Sequence, residues 1–361
     1  LRLHGWTGDG IMGRVADKLL LSQSVVVDPY TPTTGQYTKG VGLGASAVMG
    51  YDVEDIDNAL KTDTVIDTAL SHVYEGAVDA TRNLGFLCNY STDGFVCVDF
   101  SDVTNVSVLD SIVSSTYLDF TRGVAIDTVA EIAYVTGITP NYFNAIDYST
   151  PTAMSITSSL STTYGCDLIV LDSARDTAFT KAGGRLTSIN TADPASMSER
   201  ATLVNSAVMQ TAGGLAIDIT RDLVFTSHYS NDSVTVLDTT SVAAVTVTST
   251  LTDTVELNQV TKLNIDTTDE LLFCLGTSKL SVVDYSNTAS MSISDTITNT
   301  AFGTGVARTV EVDKVRKLVF VKALSQSSIW VYDYSTPTAL VLAKEITANV
   351  APMFYLGGIA P

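Results

Sequence analysis

Basic residues are scarce in this sequence. The 361 residues include 20 Lys and Arg against 39 Asp and Glu, which gives a formal net charge of −19. A surface this acidic repels phosphate backbones and anionic membrane surfaces, so we expect no nucleic-acid partner. No run of 18 or more apolar residues occurs, and we therefore expect no membrane insertion.

Cysteine and histidine are also rare. The histidines are His4, His72 and His228, and the cysteines are Cys88, Cys97, Cys166 and Cys274. The cysteine spacings match no zinc template, and buried thiols are expected at all four. Strand register decides whether Cys88 and Cys97 face each other, and the sequence leaves both outcomes open. The sequence contains no P-loop, no dinucleotide fingerprint and no G-x-S-x-G nucleophile turn.

What the sequence does contain is a repeat of about 47 residues. An apolar–x–apolar–Asp element occurs seven times and ends at Asp28, Asp79, Asp127, Asp172, Asp218, Asp266 and Asp313. A second element follows each copy after 18 to 24 residues and ends at Asp52, Asp99, Asp147, Asn190, Asp238, Asp284 and Asp333. Two markers in phase over nearly the whole chain indicate a repeat architecture rather than several unrelated domains.

Each repeat reads as four short strands, which we name A to D in order, separated by turn residues. Units of four strands at this period predict an all-β seven-bladed β-propeller with four-stranded antiparallel blades. We expect the propeller over residues 17–361 and an N-terminal arm over residues 1–16. The two ends of the chain both resemble the stretch from strand D to the next strand A. One terminus is therefore expected to complete a blade built mostly from the other.

The repeats resemble two known families. The copy LAIDITRDLVFTSHYSNDSVTVLDTTS is similar to YVTN-type surface propeller repeats, and VVDYSNTASMSISDTIT is similar to LVIVP repeats. This resemblance implies a surface, secreted or phage structural protein, hence a location that is extracellular, on a cell surface or on a virion. Neither repeat pattern carries a catalytic residue that could be transferred to this chain.

In a four-stranded meander the A–B and C–D connections share one face of the disc, and both aspartate markers fall on it. A partner-binding acidic face is one interpretation of these aspartates. Turn chemistry is the favoured one, because Asp and Asn side chains accept backbone hydrogen bonds two residues on. The segment YDVEDID departs from the repeat and offers carboxylates for calcium at Asp52, Glu54, Asp55 and Asp57. A solvated acidic turn is the alternative, and no other cofactor is expected.

The opposite face carries the irregular residues. Candidate ligand-binding residues there are His72, Tyr164, His228, Tyr229 and Trp330, and apart from the adjacent His228 and Tyr229 they lie on different blades. Since no catalytic groups cluster in the sequence, the favoured function is a non-enzymatic structural or interaction module that binds protein or glycan partners and assembles into a larger particle. The alternative is a propeller-type hydrolase or lactonase acting at the mouth of the channel. A calcium-dependent binder is a third hypothesis.

Overall fold

The computed structural model describes residues 39–43, 47–52, 60–67, 70, 73–209, 213–302, 308–323, 328–347 and 356–357. All of them fall within one compact unit, residues 37–361. The predicted arm, residues 1–16, lies outside the described residues, as does the marker ending at Asp28. The boundary between arm and propeller at residue 17 therefore stays a prediction.

The first four strands in the described part of the chain are β1 (Lys39–Leu43), β2 (Ala47–Asp52), β3 (Leu60–Lys61) and β4 (Val65–Ile66). Blade I follows with β5 (Val73–Asp79), β6 (Leu84–Asn89), β7 (Gly94–Asp99) and β8 (Ser107–Val113). Blade II comprises β9 (Val124–Asp127), β10 (Ile132–Gly137), β11 (Tyr142–Asp147) and β12 (Ser155–Ser161). Blade III comprises β13 (Leu168–Asp172), β14 (Thr177–Ala182), β15 (Arg185–Asn190) and β16 (Ser198–Val204).

Blade IV comprises β17 (Leu215–Asp218), β18 (Leu223–His228), β19 (Ser233–Asp238) and β20 (Thr246–Thr252). Blade V comprises β21 (Lys262–Asp266), β22 (Leu271–Gly276), β23 (Lys279–Asp284) and β24 (Ser292–Thr298). Blade VI comprises β25 (Arg308–Asp313), β26 (Leu318–Ala323), β27 (Ser328–Asp333) and β28 (Val341–Thr347), and the last strand is β29 (Leu356–Gly357). Short 3₁₀ helices lie at Ser173–Arg175 and Thr300–Phe302. In the described ranges no helix is long and apolar enough to cross a membrane.

The chain forms an all-β propeller of six four-stranded antiparallel blades, and the prediction of seven such blades is wrong. The remaining sheet, here called the closing sheet, has the order β29-β1-β2-β3, and β4 also pairs with β2. It lies between blades VI and I, because β29 contacts both β25 and β5. Strand β29, near the C-terminus, is the strand that pairs with β1 on the side away from β2.

The closing sheet differs from the six blades because its sequence departs from the repeat after β2. The six outer D strands have seven residues each, and β20 alternates strictly between exposed and half-buried positions. In the corresponding place, residues 60–66, the chain carries LKTDTVI, and Asp is depleted in strands. Instead of one seven-residue strand, two strands of two residues each lie there, β3 and β4, on either side of Asp63.

The core of the propeller lies between neighbouring blades. Strands β6, β10, β18 and β22 are buried along their whole length, since both of their faces are covered by adjacent blades. Phe225 of blade IV, for example, packs in one cluster with Leu272 and Tyr285 of blade V. Burying such runs on both faces removes apolar surface from water and supplies the main stabilising term.

The four cysteines are buried and free, so the prediction of buried thiols is confirmed. Cys88 pairs with Phe95 across the ladder, and Cys97 pairs with Phe86, so the two thiols do not face each other. Burial raises the pKa of Cys97 and of Cys166 to about 12, with smaller contributions from nearby carboxylates. Both groups therefore stay protonated at neutral pH.

The aspartate markers do serve as turn residues, as predicted. At the end of β17, Asp218 Oδ1 accepts hydrogen bonds from Thr220 N at 3.0 Å and from Thr220 Oγ1 at 2.6 Å. At the end of β19, Asp238 Oδ1 accepts one from Thr240 N at 2.8 Å. These side chains satisfy backbone amides that the strand ends leave unpaired.

A second role of the first marker was not predicted. The Tyr285 hydroxyl of blade V donates to Asp218 Oδ2 of blade IV at 3.0 Å, so the same carboxylate also ties two blades together. Two other blade pairs repeat this contact, at Tyr148–Asp79 (3.3 Å) and Tyr334–Asp266 (2.8 Å). The signal in the sequence is the tripeptide Asp-Tyr-Ser. It begins at the last residue of the second marker in the three blades that supply the tyrosine.

Candidate functional site

The inner A strands surround a channel through the disc. At its mouth, on the face of the D–A connections, lies a cavity of about 240 Å³ lined by Tyr74, Arg122, Asp167, Leu168, Gly213, Thr261 and Lys262. Leu168 and Lys262 also line a narrower waist of about 60 Å³. The waist shares Glu75, Leu215, Lys262 and Leu263 with a lower cavity of about 230 Å³, so the three cavities form one path.

Two glycines let the inner strands approach closely at the waist. A Cβ on Gly214 would lie 2.3 Å from the backbone nitrogen of Leu263, and one on Gly123 would lie 2.5 Å from the carbonyl oxygen of Asp167. Both distances are shorter than any normal contact, so only glycine fits at these positions. The close approach brings side chains from neighbouring blades within reach of each other at the mouth.

Arg122 and Asp167 form an ion pair in the mouth cavity. Their backbone nitrogens donate to Thr136 O (3.3 Å) and Lys181 O (3.0 Å), which are corresponding positions of blades II and III. Arg122 Nη1 lies 3.8 Å from Asp167 Oδ1, and the two side chains are 26% and 22% exposed. Burial raises the pKa of Asp167, while Arg122 and Lys181 oppose that rise. The carboxylate is therefore a stronger base than an exposed aspartate.

Aromatic rings hold the guanidinium of Arg122. Its Cζ lies 5.0 Å from the ring centre of Tyr74 and 5.4 Å from that of Tyr90, a cation–π geometry. The Nε of Arg122 is buried and has no hydrogen-bond acceptor among the described residues. Tyr74 reaches the mouth because the register of β5 against β6 shifts between Val73 and Glu75, a bulge that re-aims neighbouring side chains.

Lys262 connects the mouth to the lower cavity. Its Nζ forms an ion pair with Glu75 Oε2, and it lines all three cavities. Further down, Asn264 Nδ2 donates to Glu311 Oε2 at 3.1 Å. Burial, together with the charge of Glu75, raises the pKa of Glu311 to about 8, against the opposing effects of Lys262 and Asn264. The channel therefore carries charges of both signs in a partly desolvated space.

Four of the residues predicted for this face are described, and none of them lines the channel cavities. Trp330 is 5% exposed and packs against Phe302 in the core between blades V and VI. His228 is fully buried at the end of β18, and Tyr229 is half-buried in the turn that follows. Tyr164 is 36% exposed, with the Arg185 guanidinium 4.5 Å from its ring centre. His72 lies outside the described residues.

The predicted calcium segment is only partly described. Asp52 ends β2, and Glu54, Asp55 and Asp57 lie outside the described residues. Elsewhere in the described part of the chain, no group of three or more His, Cys, Asp or Glu side chains could hold a metal ion. Calcium binding at Asp52–Asp57 stays a prediction.

Sequence reasoning missed Arg122, Asp167 and Lys262. Their signal lies at the start of the inner strands, where aligned repeats read TRGVAID, CDLIVLD, GGLAID and TKLNID. The position before the strand core is Arg, Asp, Gly or Thr in turn, and Lys262 follows the last of these, so the sequence shows departures from the repeat there but no site. Only the closed ring shows that these departures meet.

No protein-family model and no curated protein matches this chain. Its fold matches solved structures. The periplasmic gluconolactonase of Pseudomonas aeruginosa aligns with a TM-score of 0.70 and 8% identity, covering 88% of this chain and 98% of that one. A protein named as a candidate 6-phosphogluconolactonase from Bacteroides fragilis aligns at 0.68 and 9%, covering 89% and 98%. A protein from Lactobacillus plantarum aligns at 0.71 and 13%, covering 88% and 99%. By fold, these similarities place the chain among the β-propeller proteins.

Two of these propellers carry lactonase names, which contradicts the prediction that the chain is not an enzyme. That prediction depended on the lack of clustered catalytic groups in the sequence. The fold brings Arg122, Asp167 and Lys262 from three different blades to one cavity at the channel mouth, a grouping that the sequence does not show. The expected protein or glycan partner, the location outside the cell or on a virion, and membership of the YVTN or LVIVP families stay predictions.

Proposed function

We propose that the chain is a propeller-type hydrolase that opens lactones at the mouth of its central channel. The observation that carries this proposal is the Arg122–Asp167 pair inside the mouth cavity. A carboxylate with a raised pKa next to a fixed guanidinium supplies a proton acceptor and a cation at one place. The lactonase names of two propellers of the same fold support the choice of reaction.

In this reaction Asp167 accepts a proton from a water molecule whose oxygen attacks the lactone carbonyl carbon. Arg122 faces the oxygen that becomes negative and stabilises it through charge and hydrogen bonding, as oxyanion-binding groups do. The ring C–O bond then breaks, and the departing ring oxygen takes the proton held by Asp167. One water is consumed, one hydroxy acid is formed, and the carboxylate is restored.

The mouth cavity is small, about 240 Å³, and suits a single sugar lactone better than a drug-sized molecule. Arg122 and Lys262 on its wall are balanced by Asp167 and Glu75, so the cavity suits the uncharged ring of a lactone. We propose a sugar-acid lactone as substrate, with or without a phosphate group. The assay includes both forms, because one of the similar propellers is named as a gluconolactonase and another as a 6-phosphogluconolactonase.

The test measures acid release from gluconolactone and from 6-phosphogluconolactone, with the spontaneous hydrolysis rate subtracted. Asp167→Asn keeps the shape of the side chain and removes the base, and we expect kcat/KM to fall by about 10²- to 10⁴-fold. Asp284→Asn is the matched control, because Asp284 accepts a turn amide at 2.8 Å on the opposite face of the disc. Its rate should equal that of the wild type.

Two results would contradict the proposal. One is the absence of any hydrolysis above the spontaneous rate with either lactone. The other is a full rate in Asp167→Asn, which would leave the reaction without its proposed base.

The wild-type rate should also rise with pH through the raised pKa of Asp167 and then level off.

A further inference from the structure

A strip of aromatic rings leads outward from the mouth cavity. Tyr74 lines the cavity, and its ring centre lies 5.9 Å from that of Tyr90. The Tyr90 ring lies 4.8 Å from that of Phe120, which is 39% exposed. We call these three residues the aromatic platform. It is continuous with the candidate site and ends on the surface.

The backbone conformation of Phe120 is unusual for its residue type. Its φ is +51°, in the left-handed region that bulky side chains rarely adopt. The loop between blades IV and V has the same geometry at Gln259, with φ +53°. Phe120 N donates to Asp93 Oδ1 at 3.1 Å, and Gln259 N donates to Asp232 Oδ1 at 2.8 Å. The loop therefore forms without an aromatic ring, and the exposed ring of Phe120 is not needed to build it.

Hydrogen-bond acceptors stand beside the platform. Asp119 precedes Phe120, and its carboxyl lies within hydrogen-bonding reach of that of Asp93. Burial, followed by the charge and the hydrogen bond of Asp93, raises the pKa of Asp119. Ring faces are electron-rich and attract the weakly positive C–H bonds on one face of a pyranose. The hydroxyl groups on its rim need acceptors, which paired carboxyls supply.

We propose that the aromatic platform binds a pyranose ring, so that the substrate is the lactone of an oligosaccharide. The lactone ring enters the mouth cavity, and the next sugar ring stacks on the exposed ring of Phe120, which packs against Tyr90. The lactone end of this substrate rests on the proposed lactonase activity, whereas the binding of the second sugar ring is tested separately. A neutral sugar fits better than a nucleotide, because Asp93 and Asp119 repel phosphate.

The test uses Phe120→Gln, which installs the residue that the chain itself carries at the equivalent position, Gln259. Titration calorimetry compares cellobiose with glucose, neither of which is a lactone. We expect wild-type protein to prefer cellobiose, and Phe120→Gln to lose that preference by about 10-fold. The variant kcat/KM for cellobionolactone should fall by a similar factor, while that for gluconolactone stays unchanged. Melting temperature checks that the variant is folded.

Tyr164→Gln is the matched control, because Tyr164 is 36% exposed on the same face but lies outside the platform. It should keep the preference for cellobiose. Loss of binding in Phe120→Gln alone supports the pyranose site even if no lactone is hydrolysed, in which case only the proposed activity fails. Equal binding of glucose and cellobiose by the wild type would overturn the inference. So would an unchanged preference in Phe120→Gln, or tighter binding of AMP than of cellobiose.

Discussion

Replacing Tyr285 by Phe removes one hydroxyl group from a buried contact between two blades. In the wild type that hydroxyl donates to Asp218 Oδ2 at 3.0 Å, and the carboxylate is fully buried. Burial, together with the charge of Asp218, raises the pKa of Tyr285, so its proton is retained across the physiological range. The substitution keeps the ring, which lies 4.7 Å from that of Phe225, and so isolates the hydrogen bond.

The loss of stability depends on which hydrogen bonds the Asp218 carboxylate keeps in the variant. Asp218 Oδ1 still accepts from Thr220 N and Thr220 Oγ1, so half of the group remains satisfied. Oδ2 loses its tyrosine donor in a buried place. Hydrogen bonds to charged groups contribute about 1.5–3 kcal/mol, and we expect Tyr285→Phe to lower the free energy of unfolding by about 2 kcal/mol.

Urea unfolding at constant pH measures this change as a shift in midpoint with an unchanged slope. A double-mutant cycle with Asp218→Asn should give a coupling energy of about 1–3 kcal/mol, because the two groups touch. Tyr134→Phe is a matched control: its hydroxyl donates to a neutral carbonyl, Thr191 O, at 3.3 Å, so its loss should cost less. A loss below about 0.5 kcal/mol in Tyr285→Phe would refute the idea that this contact ties the blades together.

Two ionisable groups with shifted pKa values, Glu311 and Lys181, should give opposite pH dependences of stability. The pKa of Glu311 is raised from 4.5 to about 8, so the folded protein holds this proton more tightly than the unfolded chain, and stability falls as pH rises between these values. Glu311→Gln should abolish that fall in urea midpoints. Burial lowers the pKa of Lys181 from 10.5 to about 7, so stability rises with pH over that interval, and Lys181→Met should abolish the rise. Parallel pH profiles for variant and wild type would contradict either assignment.

Much of the fold could be predicted from the sequence. The two markers located the strands of six blades and the turns that end strands A and C, because both features depend on local alternation and on Asp side chains that bond nearby amides. The number of blades could not be predicted in this way. A marker ending at Asp28 has the same local pattern as the others, but pairing between the two ends of the chain depends on contacts more than 300 residues apart.

The candidate site was less predictable than the fold. The cavity at the channel mouth lies on the face of the D–A connections, and the order of strands alone fixes which connections share that face. The residues chosen there were the unusual ones, such as His228 and Trp330, and these turned out to be buried by packing. Arg122 and Asp167 are common residue types, and they stand out only because adjacent inner strands bring them within 3.8 Å.

The sequence by itself determined that this chain builds four-stranded β units with aspartate turns, because strand and turn formation are local. The tertiary structure alone decided how many units are regular blades, which strand closes the ring, and which side chains meet at the channel. Those outcomes depend on distances between residues from different blades, and a repeat pattern contains no information about such distances. The candidate site at the channel mouth is formed by positions that differ from repeat to repeat, such as Arg122 and Asp167.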